Sequence, residues 1–171
     1  AALGYQINQW RSQWGDFYGL VNAAGITQTM PFRSLKSSHL AELFQVNVQA
    51  ALMLSRMCTK RAPNDGMSIV MLTSVMATVG ELAKTGYSAS KGALLAAARS
   101  MALELAPKNI RVNCVSPGVV NTPMTESAAY RQNEKAFQNI LAQHPLGLGD
   151  PVDIANAVVF RLSPASRWMT G

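Results

Sequence analysis

Charge is scarce in this 171-residue chain: Asp, Glu, Lys and Arg make up 14% of it, and acids are the rarer kind, nine against fifteen bases. A net charge of +6 would suit a polyanionic partner, but the bases stand singly, with Lys60-Arg61 the only adjacent pair. A nucleic-acid face needs clustered bases among stacking aromatics, and aromatics form 7% of the chain, so nucleic acid is set aside as a partner. The two cysteines, Cys58 and Cys114, and the two histidines, His39 and His144, lack zinc-ligand spacing, so no metal is expected and the thiols read as reduced core groups. No run approaches the roughly 18 apolar residues of a membrane span. The opening Ala1-Ala2-Leu3-Gly4 has no basic flank and apolar core of a signal peptide. These absences together predict a soluble protein of a reducing compartment, the cytoplasm. Low-complexity tracts, internal repeats and long single-sign charge blocks are missing too, and 49% hydrophobic content suffices for one globular domain.

What is present has the rhythm of alternating strands and helices. Leu3, Ile7, Trp10 and Trp14 recur at helical spacing, predicting a helix over 3–14 with both tryptophans in the core. Phe17 to Val21 reads as a buried parallel strand running into Ala23-Ala24-Gly25. A helix follows over Ser37 to Lys60, stopped by Pro63-Asn64-Asp65-Gly66. The β-branched run Ser68 to Thr73 is the next strand, a helix begins near Tyr87 and ends before Pro107, and Ile110 to Val115 is a third strand closed by Ser116-Pro117-Gly118. Residues 124–143 look helical but polar, and Asp153 to Leu162 is a short apolar helix. Helical crossovers of more than a dozen residues between strands imply βαβ units, a parallel sheet with helices on both faces.

In open α/β sheets function lies beyond the carboxyl ends of the strands. Ser74 follows the second strand, Tyr87 stands thirteen residues later, and Lys91 four after that, one helical turn on and on the same face. A phenol ordinarily titrates near pH 10, and a neighbouring ammonium lowers that value, so Lys91 would tune Tyr87 for proton transfer while the Ser74 hydroxyl holds a carbonyl or alcohol oxygen. A lone Y-x-x-x-K pair is weak evidence, since such pairs also occur as solvated helix contacts.

The ordered set Leu20-Val21-Asn22-Ala23-Ala24-Gly25, Asn47, Ser74, Tyr87, Lys91 and Asn113-Cys114-Val115-Ser116-Pro117-Gly118, with Thr122-Pro123-Met124 beyond it, resembles the motifs of the short-chain dehydrogenases/reductases, and in general look the 3-oxoacyl-acyl-carrier-protein reductases. The resemblance implies a doubly wound Rossmann-type sheet and hydride exchange between NAD or NADP and a ketone or secondary alcohol. It makes Tyr87 the general acid/base, Ser74 the residue orienting the oxygen, Lys91 the ligand of the nicotinamide ribose and Asn47 a member of the proton relay. Asn47 also reads simply as a polar residue bonding backbone within a kinked helix. Asn22, Ala23 and Gly25 would border the adenosine side of the cofactor. Pro117, Gly118 and Val120 would approach the nicotinamide, and Thr122 would bond its carboxamide or phosphates. Met76, Thr78, Leu82 and a lid over 124–141 beginning at Met124 would line the substrate cleft. The helices over 37–60 and 87–106, with outward Ala50, Ala51, Ala96, Ala97 and Ala98, would make a homodimer or homotetramer; packing against the chain's own sheet is the alternative reading of the same alanines.

The chain departs from the family pattern at Ala23, where a second asparagine is usual, and at Tyr18, often acidic. No glycine-rich phosphate loop opens a helix after a strand, and the family's first and last strands find no counterpart. The expectation is therefore a partial domain, central and C-terminal, truncated at both ends, with the NAD or NADP preference set elsewhere. A non-catalytic fragment or scaffold relative is the alternative that follows from the missing loop.

Overall fold

A computed structural model describes residues 2–63, 65–126 and 128–171, so Asn64 of the expected turn and Ser127 of the expected lid lie outside the described residues. Helix α1 (Ala2–Trp14) is followed by strand β1 (Gly19–Asn22), helix α2 (Ser37–Phe44) and helix α3 (Ala50–Thr59). Strand β2 (Met67–Leu72), helix α4 (Thr85–Leu105) and strand β3 (Ile110–Val115) come next. Helices α5 (Pro123–Glu126), α6 (Glu134–Ala142) and α7 (Pro151–Leu162) complete the order. The strands form a parallel sheet in the order β1-β2-β3, with Val21 opposite Val70 and Val70 opposite Asn113.

Strand alternation divides the layers. Met67, Ile69 and Met71 of β2, with Ile110 and Val112 of β3, face one core shared with Ile7, Ala51, Cys58, Leu94, Ala98 and Ala102 from α1, α3 and α4. The other face meets α7: the Ser68 hydroxyl donates to the Arg161 carbonyl at 2.8 Å, and the Arg111 guanidinium reaches the same oxygen at 3.0 Å. Ile69, Val70, Met71, Ile110 and Val112 are completely buried, and each contributes about 1.5–3 kcal/mol of apolar burial. Beyond β3, the Gly171 N–H donates to the Val112 carbonyl at 2.8 Å. Gly66 turns the chain into β2 at φ +92°, where a Cβ would lie 2.2 Å from the Asn109 carbonyl oxygen; only glycine fits there.

Several expectations need correction. Trp14 is exposed, stacked on Trp10 with centroids 6.5 Å apart, while Trp10 packs against the core; the apolar stripe of α1 is buried at Ile7 but faces solvent at both ends. The 17–21 run yields a strand only from Gly19, at a sheet edge, with Val21 exposed. The helix expected over 37–60 runs on as expected but is locally widened by a π-helical turn at Gln45–Gln49, centred on buried Asn47, which is the kink that the sequence reading allowed there. The polar helix over 124–143 is instead α5, a 3-10 turn at Ala129–Gln132 and α6, because Asn133 caps a new helix by accepting from the Ala136 N–H at 3.0 Å. Of the alanines expected to face outward, Ala51 and Ala98 lie in the core, since a one-residue step along a helix turns the side chain by about 100°. Among the described residues no helix is long and apolar enough to cross a membrane.

Candidate active site

The carboxyl ends of the three strands open into a cleft of about 430 Å³, within the size range of small-molecule sites. Ser74, Tyr87 and Lys91 line it together, joined from the strand-end loops by Ala23, Gly25, Pro117, Gly118, Val120 and Thr122, and by Met124 from α5. Ser74 follows β2 in extended conformation, its hydroxyl accepting from the Met76 N–H at 3.2 Å to cap a single 3-10 turn. The loop is tied to β3 through the Val75 N–H, which donates to the Pro117 carbonyl at 3.0 Å, and through the Thr73 and Ser116 hydroxyls, 2.6 Å apart.

Tyr87 and Lys91 rise from the first turns of α4. The Lys91 ammonium is buried, donates to the Leu72 carbonyl at 2.8 Å and sits 5.9 Å from the Tyr87 ring centroid. Burial pushes the Lys91 ammonium below the ordinary lysine range. Burial likewise pushes the Tyr87 phenol above its ordinary value, with the neighbouring Ser74 hydroxyl pulling the other way. The expected lowering by Lys91 is thus replaced by net raising: desolvation of the phenolate prevails, and the opposing pull comes from Ser74.

Asn47 is a strut. Its Oδ1 accepts from the Ile26 N–H at 2.8 Å, and its Nδ2 donates to the Ile26 carbonyl at 2.9 Å and to the Ser90 hydroxyl at 3.0 Å. Ser90 in turn donates to the Tyr87 carbonyl at 2.7 Å, so one fully buried amide links the loop after β1 to the turn carrying the phenol. A π-turn at this point follows from the same demand, because the extra residue lets Asn47 face inward among non-helical backbone. Gly25 completes the arrangement: a Cβ there would stand 3.3 Å from Asn47 Oδ1 and 3.4 Å from Lys91 Nζ.

Other expected residues lie differently. Asn22 is turned into the core, donating to the Ser55 hydroxyl at 3.0 Å and to the Met71 sulfur at 3.2 Å, and does not line the cleft. Met76 belongs to a smaller adjoining cavity; Thr78 donates to the Val75 carbonyl at 3.1 Å and Leu82 is almost wholly exposed, so neither lines either space. Thr122 keeps its place, its hydroxyl 3.2 Å from that of Thr125.

Two residues escaped the sequence reading. His144 accepts from the Val119 N–H through Nε2 at 3.0 Å, with Nδ1 2.7 Å from the Ile140 carbonyl, which fixes the tautomer with the proton on Nδ1. It pins the loop over the cleft so closely that a Cβ on Gly118 would come within 2.8 Å of Nε2. Lys84 donates to the Thr27 and Thr29 hydroxyls, 57 and 55 residues away, and no spacing signal could have announced either bond.

A family model described as enoyl-(acyl carrier protein) reductase matches residues 3–171. This chain belongs to the short-chain dehydrogenase/reductase family. Within it, the chain is 35% identical over 173 residues to a 3alpha-hydroxysteroid dehydrogenase of Mediterraneibacter gnavus, covering 100% of this chain and 68% of that protein. It is 35% identical over 154 residues to the 3-oxoacyl-[acyl-carrier-protein] reductase FabG of Thermotoga maritima, covering 89% and 61%. The solved structure of 4-hydroxyisoleucine dehydrogenase complexed with NADH superposes with a TM-score of 0.88 at 31% identity, over 99% of this chain and 70% of that one. The chain spans about two thirds of the length of the curated relatives it matches. Its parallel sheet with flanking helices is the Rossmann-like fold of this dehydrogenase family.

A nicotinamide nucleotide suits the donors and space present. The Lys91 ammonium has one protein acceptor, the Leu72 carbonyl, among the described residues, which leaves two of its three protons for ribose hydroxyls. Gly25 and Gly118 keep the cleft walls free of side chain where Asn47, Lys91 and His144 approach.

Proposed function

We propose that this chain carries the acid–base centre of an NAD(P)-dependent oxidoreductase that interconverts a ketone and a secondary alcohol. The observation that carries the reading is the convergence of Ser74, Tyr87 and the buried Lys91 ammonium on one cleft at the carboxyl ends of parallel strands. A bound nicotinamide would donate or accept the hydride. In the reducing direction Ser74 holds the carbonyl oxygen and Tyr87, a neutral phenol because of its burial, donates the proton to it; oxidation reverses that transfer. Lys91 holds the ribose through the two protons that the Leu72 carbonyl leaves free. Asn47 is a positioning residue, setting Ile26 against the turn that bears Tyr87. Ala23, Gly25, Pro117, Gly118, Val120 and Thr122 supply the cofactor wall, and Met124 the substrate side. Asn22 contributes through β1 packing alone.

The named relatives act on unlike ketones and alcohols, a 3alpha-hydroxysteroid and a 3-oxoacyl thioester, so 3-oxoacyl thioesters are one candidate substrate class and the substrate side of the cleft has to decide. Assembly as a dimer or tetramer through α3 and α4 is part of the same proposal, supported by exposed Met53 and Leu103 on those helices. The test is titration of NADH and NADPH by fluorescence, followed by ketone reduction with the native chain and with Tyr87→Phe. The proposal requires nucleotide binding and loss of about 10²- to 10⁴-fold in turnover on removing the hydroxyl. Absence of binding to either nucleotide would leave the scaffold alternative standing.

A further inference from the structure

Next to Ser74 and Tyr87 lies a second, smaller cavity of about 120 Å³. Its wall is apolar over most of its area but also carries Thr27, Glu81, Lys84 and Tyr130. The Lys84 ammonium stands 5.8 Å from the Tyr87 ring centroid, close to the 5.9 Å of Lys91, so the phenol is flanked by two cations. Lys84 donates to the Thr27 hydroxyl at 3.2 Å and the Thr29 hydroxyl at 2.7 Å, which spends two of its three protons and holds the head group in place. Placement is enforced from behind: Ala83 adopts φ 60°, a region that a Cβ disfavours, and its carbonyl accepts from the Met30 N–H at 2.8 Å. An ammonium aimed in this way between two hydroxyls, beside a space for a small group, lacks one thing among the described residues: a carboxylate within ion-pairing distance. Glu81 is the acid nearby; its charge sustains protonation of Lys84 against the downward push of burial.

We propose that this cavity is a substrate-recognition subsite in which Lys84 seats the carboxylate of a short hydroxy acid or oxo acid whose reacting oxygen lies at Ser74 and Tyr87. The inference rests on the oxidoreductase reading of that pair and narrows its substrate class. The cavity's size selects a short acid over a long acyl chain. Two ammoniums, those of Lys84 and Lys91, stand 5.8 and 5.9 Å from the ring centroid against the one carboxylate, Glu81, on the cavity wall, and Thr27 and Thr29 keep the Lys84 ammonium from swinging out to water. The carboxylate takes the third N–H of Lys84, a charge-assisted bond in a half-desolvated position. Lys84 stands at the N-cap position of α4, whose amino end adds to the attraction for an anion.

The full chain, loaded with NADH or NADPH, is offered acetoacetate and, as its neutral counterpart, acetoacetyl-N-acetylcysteamine thioester. The acid is expected to have the higher kcat/KM, and Lys84→Met should lower the acid-to-thioester ratio by about 10- to 100-fold, the range for a hydrogen bond to a charged group. Glu81→Gln should raise the same ratio. If Lys84→Met lowers both substrates equally, Lys84 is a tether for Thr27 and Thr29 and the subsite is refuted; so it is if the native ratio favours the thioester. Should neither ketone be reduced, the oxidoreductase reading fails separately, and calorimetric titration with acetoacetate decides on Lys84 alone: binding weakened by Lys84→Met upholds the subsite, whereas equal binding or none overturns it.

Discussion

Asn47→Ala removes three hydrogen bonds from a position with no solvent access. The Ile26 N–H and carbonyl lose their amide partner, and the Ser90 hydroxyl keeps its donation to Tyr87 but loses the bond it accepts. Leaving a buried polar group unpaired costs about 1–3 kcal/mol, and Ile26 is half-buried, so water recovers part of the loss; the net destabilisation is about 2–4 kcal/mol. For a chain of this size that lowers Tm by roughly 5–15 °C. Urea unfolding of the full chain measures the free energy, and calorimetry the Tm. Because the strut also sets the turn beneath Tyr87, turnover should fall at temperatures where the variant is still folded. A variant within 1 °C of the native Tm would show that the amide network supports nothing, and the account of the π-turn would go with it.

Lys91→Met removes a buried ammonium held by a single carbonyl, so stability should hold or rise while ketone reduction is lost; a fall of several kcal/mol on urea unfolding would make Lys91 structural. Gly118→Ala forces a Cβ to 2.8 Å from the His144 ring, and about 1–3 kcal/mol of overpacking plus weaker nucleotide binding should follow, checked by thermal melting and fluorescence titration. Ile69→Ala, in the sheet core, should cost about 2–5 kcal/mol in urea unfolding. The phenol of Tyr87 is raised from 10.0 in the fold, so the folded state keeps a proton that the unfolded chain gives up: its contribution to stability is full below pH 10.0 and is lost as pH rises through the folded value. Tyr87→Phe should lessen the alkaline decline without abolishing it, since burial also raises Tyr130, Cys58 and Cys114, and unfolding free energies measured between pH 9 and 11 for both chains test it.

Legibility in the sequence followed the range of the interaction that fixes each element. Residues 67–72 form β2 close to where the run Ser68 to Thr73 predicts it, because the central strand of the described sheet, buried on both faces, writes itself as a nearly continuous apolar sequence. Tyr87 and Lys91 came together because four residues along a helix make one turn. Trp14 and Asn22 were misplaced for the complementary reason: composition does not show which side of a helix end or a strand meets the core. The widened turn at Asn47, the His144 clamp and the Lys84 anchorage depend on partners 21 to 57 residues away, which no local period encodes. Even the sign of the Tyr87 perturbation required the fold, since burial, which the sequence does not display, outweighs the neighbouring groups.

The central claim is that Tyr87, which shares the cleft with Ser74 and Lys91, moves the proton in a nicotinamide-dependent reaction. Its most direct test is the single-turnover rate of ketone reduction by the full chain saturated with NADH or NADPH, native against Tyr87→Phe. The account predicts that the variant still binds nucleotide and reacts about 10²- to 10⁴-fold more slowly. A Tyr87→Phe chain that reduces the ketone at the native rate would contradict it.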